Sequence, residues 1–332
     1  MRGGGFKRLN HVYDSIISLE NLLEAWKEFL KGKRKRKDVQ EFHLCLMDNI
    51  INLRNDLKAK TYRHDPYHAF NISDPKPRNI HKAMVRDRLL HHAIYRVLYP
   101  YFDKKFIHDS YSCRLNKGTH KAIERFNNFF HKVSQNNTKQ CWVLRGDIKK
   151  FFASIDHNLL QYIVLNYIKG EDTNWLLDQI IKSFHSTEPC KGLPLGNLTS
   201  QLLVNVYMNE FDQYVKHALK VKYYIRYADD FVILSGDRNY LENLLPEIAD
   251  FLETNLKLSL HPKKVFIKTF ASGIDFLGWV HFPNYRILRT TTKRRMLKNL
   301  SKDPSKEIVI SYRGLLKHGN TYKILANLDS LS

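Results

Sequence analysis

Apolar residues recur at helical spacing through much of the first hundred residues. From about Ser15 to Leu30 they gather on one side as Leu19, Leu22, Leu23, Trp26 and Phe29, which predicts an amphipathic helix. Phe42 to Leu57 predicts a second helix, and a long helical stretch runs from about Arg86 to Phe102. Tyr62 to Ile80 is rich in Pro, Asn and Asp, so extended segments and turns are expected there. Trp142 to Asp147 reads as a short strand ending in an acid, and from Phe151 through Asp156 to Ile168 the pattern turns helical. The loop Lys191-Gly-Leu-Pro-Leu-Gly-Asn197 precedes a helix from about Ser200 to Leu219. Tyr223 to Ser235 holds two short β-branched and aromatic runs around Asp229 and Asp230, a β-hairpin with its acidic pair at or near the turn. A helix from Tyr240 to Asn255 and strands near Leu256–Leu260, Phe266–Phe270 and Phe276–Phe282 follow. Strands at separate points among helices predict an α+β fold, its sheet packed on one face by helices. No repeat of 20–50 residues is visible.

Charge narrows the class. A net charge of +21 and a pI near 9.7 favour polyanions such as RNA, DNA or an anionic membrane surface. No apolar run approaches the roughly 20 residues a spanning helix needs. Met1 to Arg8 carries basic residues without the apolar core of a signal peptide. Cys45, Cys113, Cys141 and Cys190 are scattered without a Cys-x-x-Cys pair, as expected of reduced thiols in a cytoplasmic protein. With 43% hydrophobic and 12% aromatic residues the chain is globular. The basic run Lys31–Lys37 reads as a solvated loop, either a contact to a phosphate backbone or a solubilising linker. Arg286 to Lys323 has only Asp303 and Glu307 as acids, a mostly helical basic tail suited to lie along a nucleic-acid backbone.

The candidate chemistry starts at Asp229-Asp230. Adjacent carboxylates repel, and Ala228 before them offers no favourable turn chemistry. Such a pair is either a solvated acidic turn or half of a site neutralised by divalent cations. Two-metal nucleotidyl transfer needs carboxylates from two strands, holding two Mg²⁺ roughly 4 Å apart. Asp147, at a strand end 82 residues earlier, is the second candidate.

Four segments then occur in the order of reverse-transcriptase palm motifs: Asp147-Ile-Lys-Lys-Phe-Phe-Ala-Ser-Ile155, Gly192-Leu-Pro-Leu-Gly-Asn-Leu-Thr-Ser-Gln201, Tyr227-Ala-Asp-Asp230 and Phe276-Leu-Gly-Trp279. They resemble the family's first metal motif, its nucleotide and template loop, its catalytic hairpin and its primer grip. Leu258-Ser-Leu-His-Pro-Lys-Lys264 looks like the lysine-bearing motif. Asp74-Pro-Lys-Pro-Arg78, Val85-Arg-Asp-Arg88 and Ser110 to Gly118 are similar to fingers segments. The resemblance covers about residues 60 to 285. It implies a right-hand polymerase fold with an antiparallel palm sheet: an N-terminal helical extension (1–60), fingers (61–140), palm (141–284, with a fingers insertion at about 160–200) and a small helical thumb (285–332). It further implies an RNA-directed DNA polymerase whose site is Asp147, Asp229 and Asp230 with the Ile148 backbone. The expected cofactor is two Mg²⁺ ions, with Mn²⁺ as a substitute.

The same resemblance supplies the remaining roles. Phe152 matches an aromatic gate against the ribose 2′-hydroxyl, selecting dNTPs. Lys76 and Arg78 look like triphosphate clamps. Lys264 matches a general acid for pyrophosphate departure, with Lys263 leaving the register open. Leu195 and Gly196 line the dNTP, Pro194, Leu195, Gly196, Ser200 and Gln201 form the template loop, and Phe276, Leu277, Gly278 and Trp279 the primer grip.

One departure points further. Most reverse transcriptases have Pro-Gln-Gly and then Ser-Pro, whereas this chain has Pro194-Leu195-Gly196 and Ser200-Gln201. That variant resembles the enzymes of diversity-generating retroelements, which copy a template RNA with errors opposite adenine, and Ser311 to His318 looks like their short thumb. The resemblance implies template RNA, an RNA/cDNA duplex, dNTPs and a small basic helical accessory protein forming a pentameric barrel as partners, in a bacterial, archaeal or phage-encoded setting. With about fifty residues after Trp279, a small thumb is expected and no RNase H, integrase or endonuclease module. A retron or group II intron-type enzyme and a catalytically idle RNA-binding scaffold are the alternatives.

Overall fold

The computed structural model describes residues 8–73, 77–303 and 305–329, the last three by their backbone alone. Four helices open the chain: α1 (Tyr13–Ile17), α2 (Leu19–Phe29), α3 (Lys37–Leu44) and α4 (Leu46–Lys58). The segment expected as one helix from Ser15 is split at Ser18, whose hydroxyl accepts from the Asn21 amide at 3.1 Å and starts α2 afresh. The helix expected from Phe42 is likewise divided, with its break at Cys45. A two-stranded antiparallel hairpin of β1 (His68–Ile72) and β2 (Arg78–Lys82) leads into α5 (Val85–Asp103), against which α1 to α3 pack.

The central sheet is antiparallel with strand order β4-β5-β3-β6, from β3 (Trp142–Asp147), β4 (Tyr224–Tyr227), β5 (Asp230–Ser235) and β6 (Phe266–Thr269). Helices α7 (Phe151–Ser154), α8 (His157–Tyr167), α9 (Glu171–Lys182) and α10 (Leu198–Gln213) lie between β3 and β4, and α11 (Arg238–Leu256) between β5 and β6. The sheet is covered on both faces, not one. Leu144, Tyr224, Phe231 and Ile233 join the core shared with α10 and α11, while Val143, Ile225, Val232 and Leu234 pack on Phe126, Phe129 and Phe130 of α6 (Thr119–Val133). Phe231-Val-Ile-Leu234 is a continuous apolar run because both of its faces are buried. The amphipathic pattern of α6 is what the sequence reading passed over.

Two further expectations change. Leu256–Leu260 is not a strand: Lys257 takes a left-handed conformation and the Leu258 amide returns to the Leu252 carbonyl at 2.9 Å, closing α11. Phe276–Phe282 is not one strand but the turn between β7 (Ile274–Phe276) and β8 (Trp279–His281), since Leu277 and Gly278 both have positive φ. Strand β9 (Arg286–Leu288) completes that three-stranded sheet, and α12 (Thr290–Lys302), α13 (Lys306–Leu316) and α14 (Tyr322–Asp329) follow. No described helix is long and apolar enough to cross a membrane.

Gly146 is the tightest point of the sheet. A Cβ there would lie 2.2 Å from the Phe231 ring. Gly146→Ala is therefore expected to destabilise the protein by about 1–3 kcal/mol through overpacking. A denaturant midpoint equal to the parent's would refute this.

Candidate active site

Register brings the predicted acids together. Asp147, the last residue of β3, is the cross-strand partner of Asp230, the first of β5, so their side chains share one face of the sheet. Asp230 also pairs with Tyr227 across a two-residue turn, Ala228-Asp229. Ala228 sits at φ +55°, a conformation that disfavours a side chain, in a turn carrying the acidic pair. The Ile148 amide donates to the Asp229 carbonyl at 3.2 Å, tying the turn to the end of β3.

Two cations hold two of the three carboxylates. Lys264 Nζ, not its neighbour Lys263, donates to Asp147 Oδ1 at 2.9 Å. Arg145, two residues before Asp147 and hence on its face, reaches Asp230 Oδ1 through Nη2 at 2.8 Å and Nε at 3.2 Å. The same guanidinium donates to the Asp275 carbonyl, and Arg289 Nε donates to Asp275 Oδ1 at 2.8 Å. A chain of charges thus runs from the acidic pair to the β7 strand and the start of α12.

Among the described residues no cation forms an ion pair with Asp229. Burial first, then the neighbouring Asp230 and Asp147, push its carboxyl up to about 6. Among the described residues no three His, Cys, Asp or Glu groups converge tightly enough to hold an ion, and Asp147 and Asp230 each contact a cation, Lys264 and Arg145. The donor set is nevertheless all hard oxygen with incompletely neutralised charge, which fits a divalent cation such as Mg²⁺.

The turn is propped from below by residues that the sequence reading missed. Arg226, 1% exposed, donates to Ala228 O at 3.1 Å and pairs with both oxygens of buried Asp212 at 2.8 and 2.6 Å. Tyr224 donates to the same Asp212 Oδ1 at 2.7 Å. A charged residue alternating with apolar ones in Tyr224-Ile-Arg-Tyr227 was the available signal.

The other predicted residues fall into two groups. Arg78, Asp230, Leu277, Gly278 and Trp279 line one cleft of about 960 Å³, whose opposite wall is basic α12. Phe276 is buried behind it. Phe152 is half-buried against Phe151, and its carbonyl accepts from Leu193 N at 2.8 Å, which pins the Pro194-Leu195-Gly196 loop beside it. The Leu195 carbonyl accepts from the His81 amide of β2 at 3.3 Å, and Asn197 donates to His81 O at 3.0 Å. Pro194 and Ser200 are buried, Leu195 and Gln201 half-buried, and Gly196 exposed. Among the described residues no hydrogen bond joins this loop to the three acids. Lys76 lies outside the described residues.

Acids from two adjacent antiparallel strands, a lysine upon one of them and a basic cleft at the same sheet end are an arrangement that suits nucleotidyl transfer. Residues 72–281 match the reverse transcriptase (RNA-dependent DNA polymerase) family. The chain belongs to that family and is an RNA-directed DNA polymerase. It is 27% identical to Protein YkfC of Escherichia coli strain K12 over 306 residues, covering 80% of this chain and 78% of that protein. It is 23% identical to the group II intron-encoded protein LtrA of Lactococcus lactis subsp. cremoris over 320 residues, covering 75% of this chain but only 51% of LtrA. A structure of apo telomerase from Candida tropicalis, truncated from its C-terminal domain, matches with a TM-score of 0.51 at 10% identity, over 73% of this chain and 60% of that one. That likeness concerns the fold alone and fits a right-hand polymerase.

Proposed function

We propose that the chain makes error-prone, adenine-mutagenised cDNA from a template RNA for mutagenic retrohoming, as the polymerase of a diversity-generating retroelement. The observation that carries this reading is Leu195: an aliphatic side chain stands where most reverse transcriptases have a glutamine, in a loop hydrogen-bonded on one side to Phe152 and on the other to β2. An aliphatic contact at that point imposes less directional constraint on the nascent pair than an amide. Low fidelity follows from the lost constraint.

The roles are assigned accordingly. Asp147, Asp229 and Asp230 with the Ile148 carbonyl would hold two Mg²⁺, or Mn²⁺, which when bound activate the 3′-hydroxyl and neutralise the triphosphate. Lys264 supplies a proton to departing pyrophosphate, and Lys76 and Arg78 clamp the triphosphate. Phe152 excludes the 2′-hydroxyl, Gly196 approaches the nucleotide, and Pro194, Ser200 and Gln201 shape the template loop. Phe276 to Trp279 grip the primer. The units are an N-terminal extension (1–60), fingers (61–140), palm (141–284, with the insertion at about 160–200) and thumb (285–332). The partners are template RNA, an RNA/cDNA duplex and a small basic helical pentameric protein, in a cytoplasm.

Copying a defined RNA and sequencing the cDNA tests the reading, and accurate copying of adenines with the element's partners present would sink it. Leu195→Gln is expected to lower misincorporation at adenines severalfold; an unchanged error spectrum would remove Leu195 from the account. A near-repeat pair differing only at adenines beside the gene would support the same conclusion. Similarity to LtrA favours a second reading, an intron-type enzyme, which requires an intron around the gene and faithful copying.

A further inference from the structure

Three shallow clefts follow one another along the outer face of α6, and no acidic residue lines any of them. The first, about 610 Å³, is bounded by Phe282, Tyr285, Arg286, Asn127 and His131. Its two rings stack with centroids 4.8 Å apart and planes 22° apart, and Tyr285 is 48% exposed. The second, about 410 Å³, shares His131 and adds Asn128 and Lys132. The third, about 330 Å³, shares Lys132 and adds Lys220, Lys222 and Tyr223.

The charge along this track is not neutralised internally. Among the described residues no carboxylate pairs with Lys132, Lys220 or Lys222, whereas Arg125 in the second cleft is held by Asp109 at 2.8 Å. Glu124, also on α6, is the acid whose field reaches Arg286. Nor is this the catalytic cleft. The third cleft touches Ser235, the last residue of β5, and Gly236 after it, which puts about 17 Å of strand between this cleft and Asp230. Gly319 of the first cleft packs against the Trp279 ring, whose residue lines the catalytic cleft.

We propose that the α6 track is a second nucleic-acid site, which holds single-stranded RNA that is not being copied. The exposed Tyr285 ring, backed by half-buried Phe282, accepts an unpaired base, amides and histidine meet its edge, and lysines without a carboxylate partner meet phosphates. A duplex keeps its bases inside and cannot use the stacking surface. The product of this enzyme leaves as a hybrid duplex, so the single strand at hand beyond the catalytic cleft is the RNA on the uncopied side of the template.

The test uses the full chain with its catalytic cleft first saturated by an unlabelled RNA/DNA hybrid carrying a short overhang. A labelled single-stranded RNA oligonucleotide is then titrated by fluorescence anisotropy. Tyr285→Ala and the triple variant Lys132→Ser/Lys220→Ser/Lys222→Ser are each expected to weaken binding by roughly tenfold. The triple variant also lowers the salt slope by about two, the share of three phosphate contacts on a single strand. Extension of the short hybrid should be unchanged in both. Parental affinity in the variants would overturn the site, and extension falling in step with affinity would assign these residues to the catalytic cleft. Equal binding of single-stranded DNA would overturn the choice of RNA. Extension by the parent chain tests the polymerase reading separately, so the two proposals fail independently.

Discussion

Asp229→Asn is expected to abolish nucleotide incorporation while making the metal-free protein more stable. The loss follows from removing one carboxylate of the acidic cluster: several kcal/mol of charge stabilisation corresponds to roughly a thousandfold in rate. The gain follows from burial. A carboxyl whose value rises from 3.8 to about 6 on folding costs the ionised folded state roughly 3 kcal/mol at neutral pH. The sign is that of a raised acid. Between about pH 4 and 6 the folded state binds the extra proton, so this group's penalty is full above pH 6 and fades as the pH falls toward 4. Thermal unfolding in chelator should show the variant above the parent at pH 7.5, with the gap closing at pH 4. Adding Mg²⁺ should narrow the gap at neutral pH, since only the parent gains full binding stabilisation. A variant that is less stable at pH 7.5 in chelator, or a gap independent of pH, would contradict the account.

Asp212→Asn should be among the most destabilising changes in the chain, with a loss of about 3–5 kcal/mol. Asp212 is fully buried and receives both arms of Arg226 and the Tyr224 hydroxyl. An amide leaves the guanidinium, also buried, without its counter-charge, and burying an uncompensated charge costs far more than the pair itself contributes. The damage reaches the site because Arg226 also supports the Ala228 carbonyl in the turn that presents Asp229. Replacing both partners, as Asp212→Leu/Arg226→Met, should recover much of the stability but not the activity, since the turn loses its donor. Urea unfolding of both variants beside primer extension separates these outcomes. A single variant within 1 kcal/mol of the parent would show that the pair is not what braces the turn.

Much of this protein was legible in the chain itself. The hairpin around Asp229-Asp230, the strand ending at Asp147, the long helix from Val85 and the helix after the Leu195 loop all appear as read, because each is set by local periodicity and by which residues suit a pleat or a turn. The positions of the three acids were legible in the same way, Asp147 and Asp230 at strand ends and Asp229 in the turn between strands, while their reading as one site came from motif order. Motif order added the family, which the match over residues 72–281 bears out.

The failures have a shared cause. A helix boundary at Ser18, the end of α11 at Lys257 and the Leu277-Gly278 turn each depend on one or two backbone dihedrals or a single cap, and apolar spacing carries no trace of them. The second helical layer was missed because alternate residues of Phe231-Val-Ile-Leu234 enter different cores, which only the packing of α6 reveals. Composition and local pattern by themselves determined most of the elements, the places of the acids along the chain and a strongly basic net charge. Tertiary structure alone decided that Arg145 holds Asp230, that Lys264 and not its neighbour meets Asp147, and that Asp212 carries the turn from inside the core. Partners 85, 117 and 14 residues apart meet through strand register and helix packing, and pairings at such separations leave no mark on the residues between them.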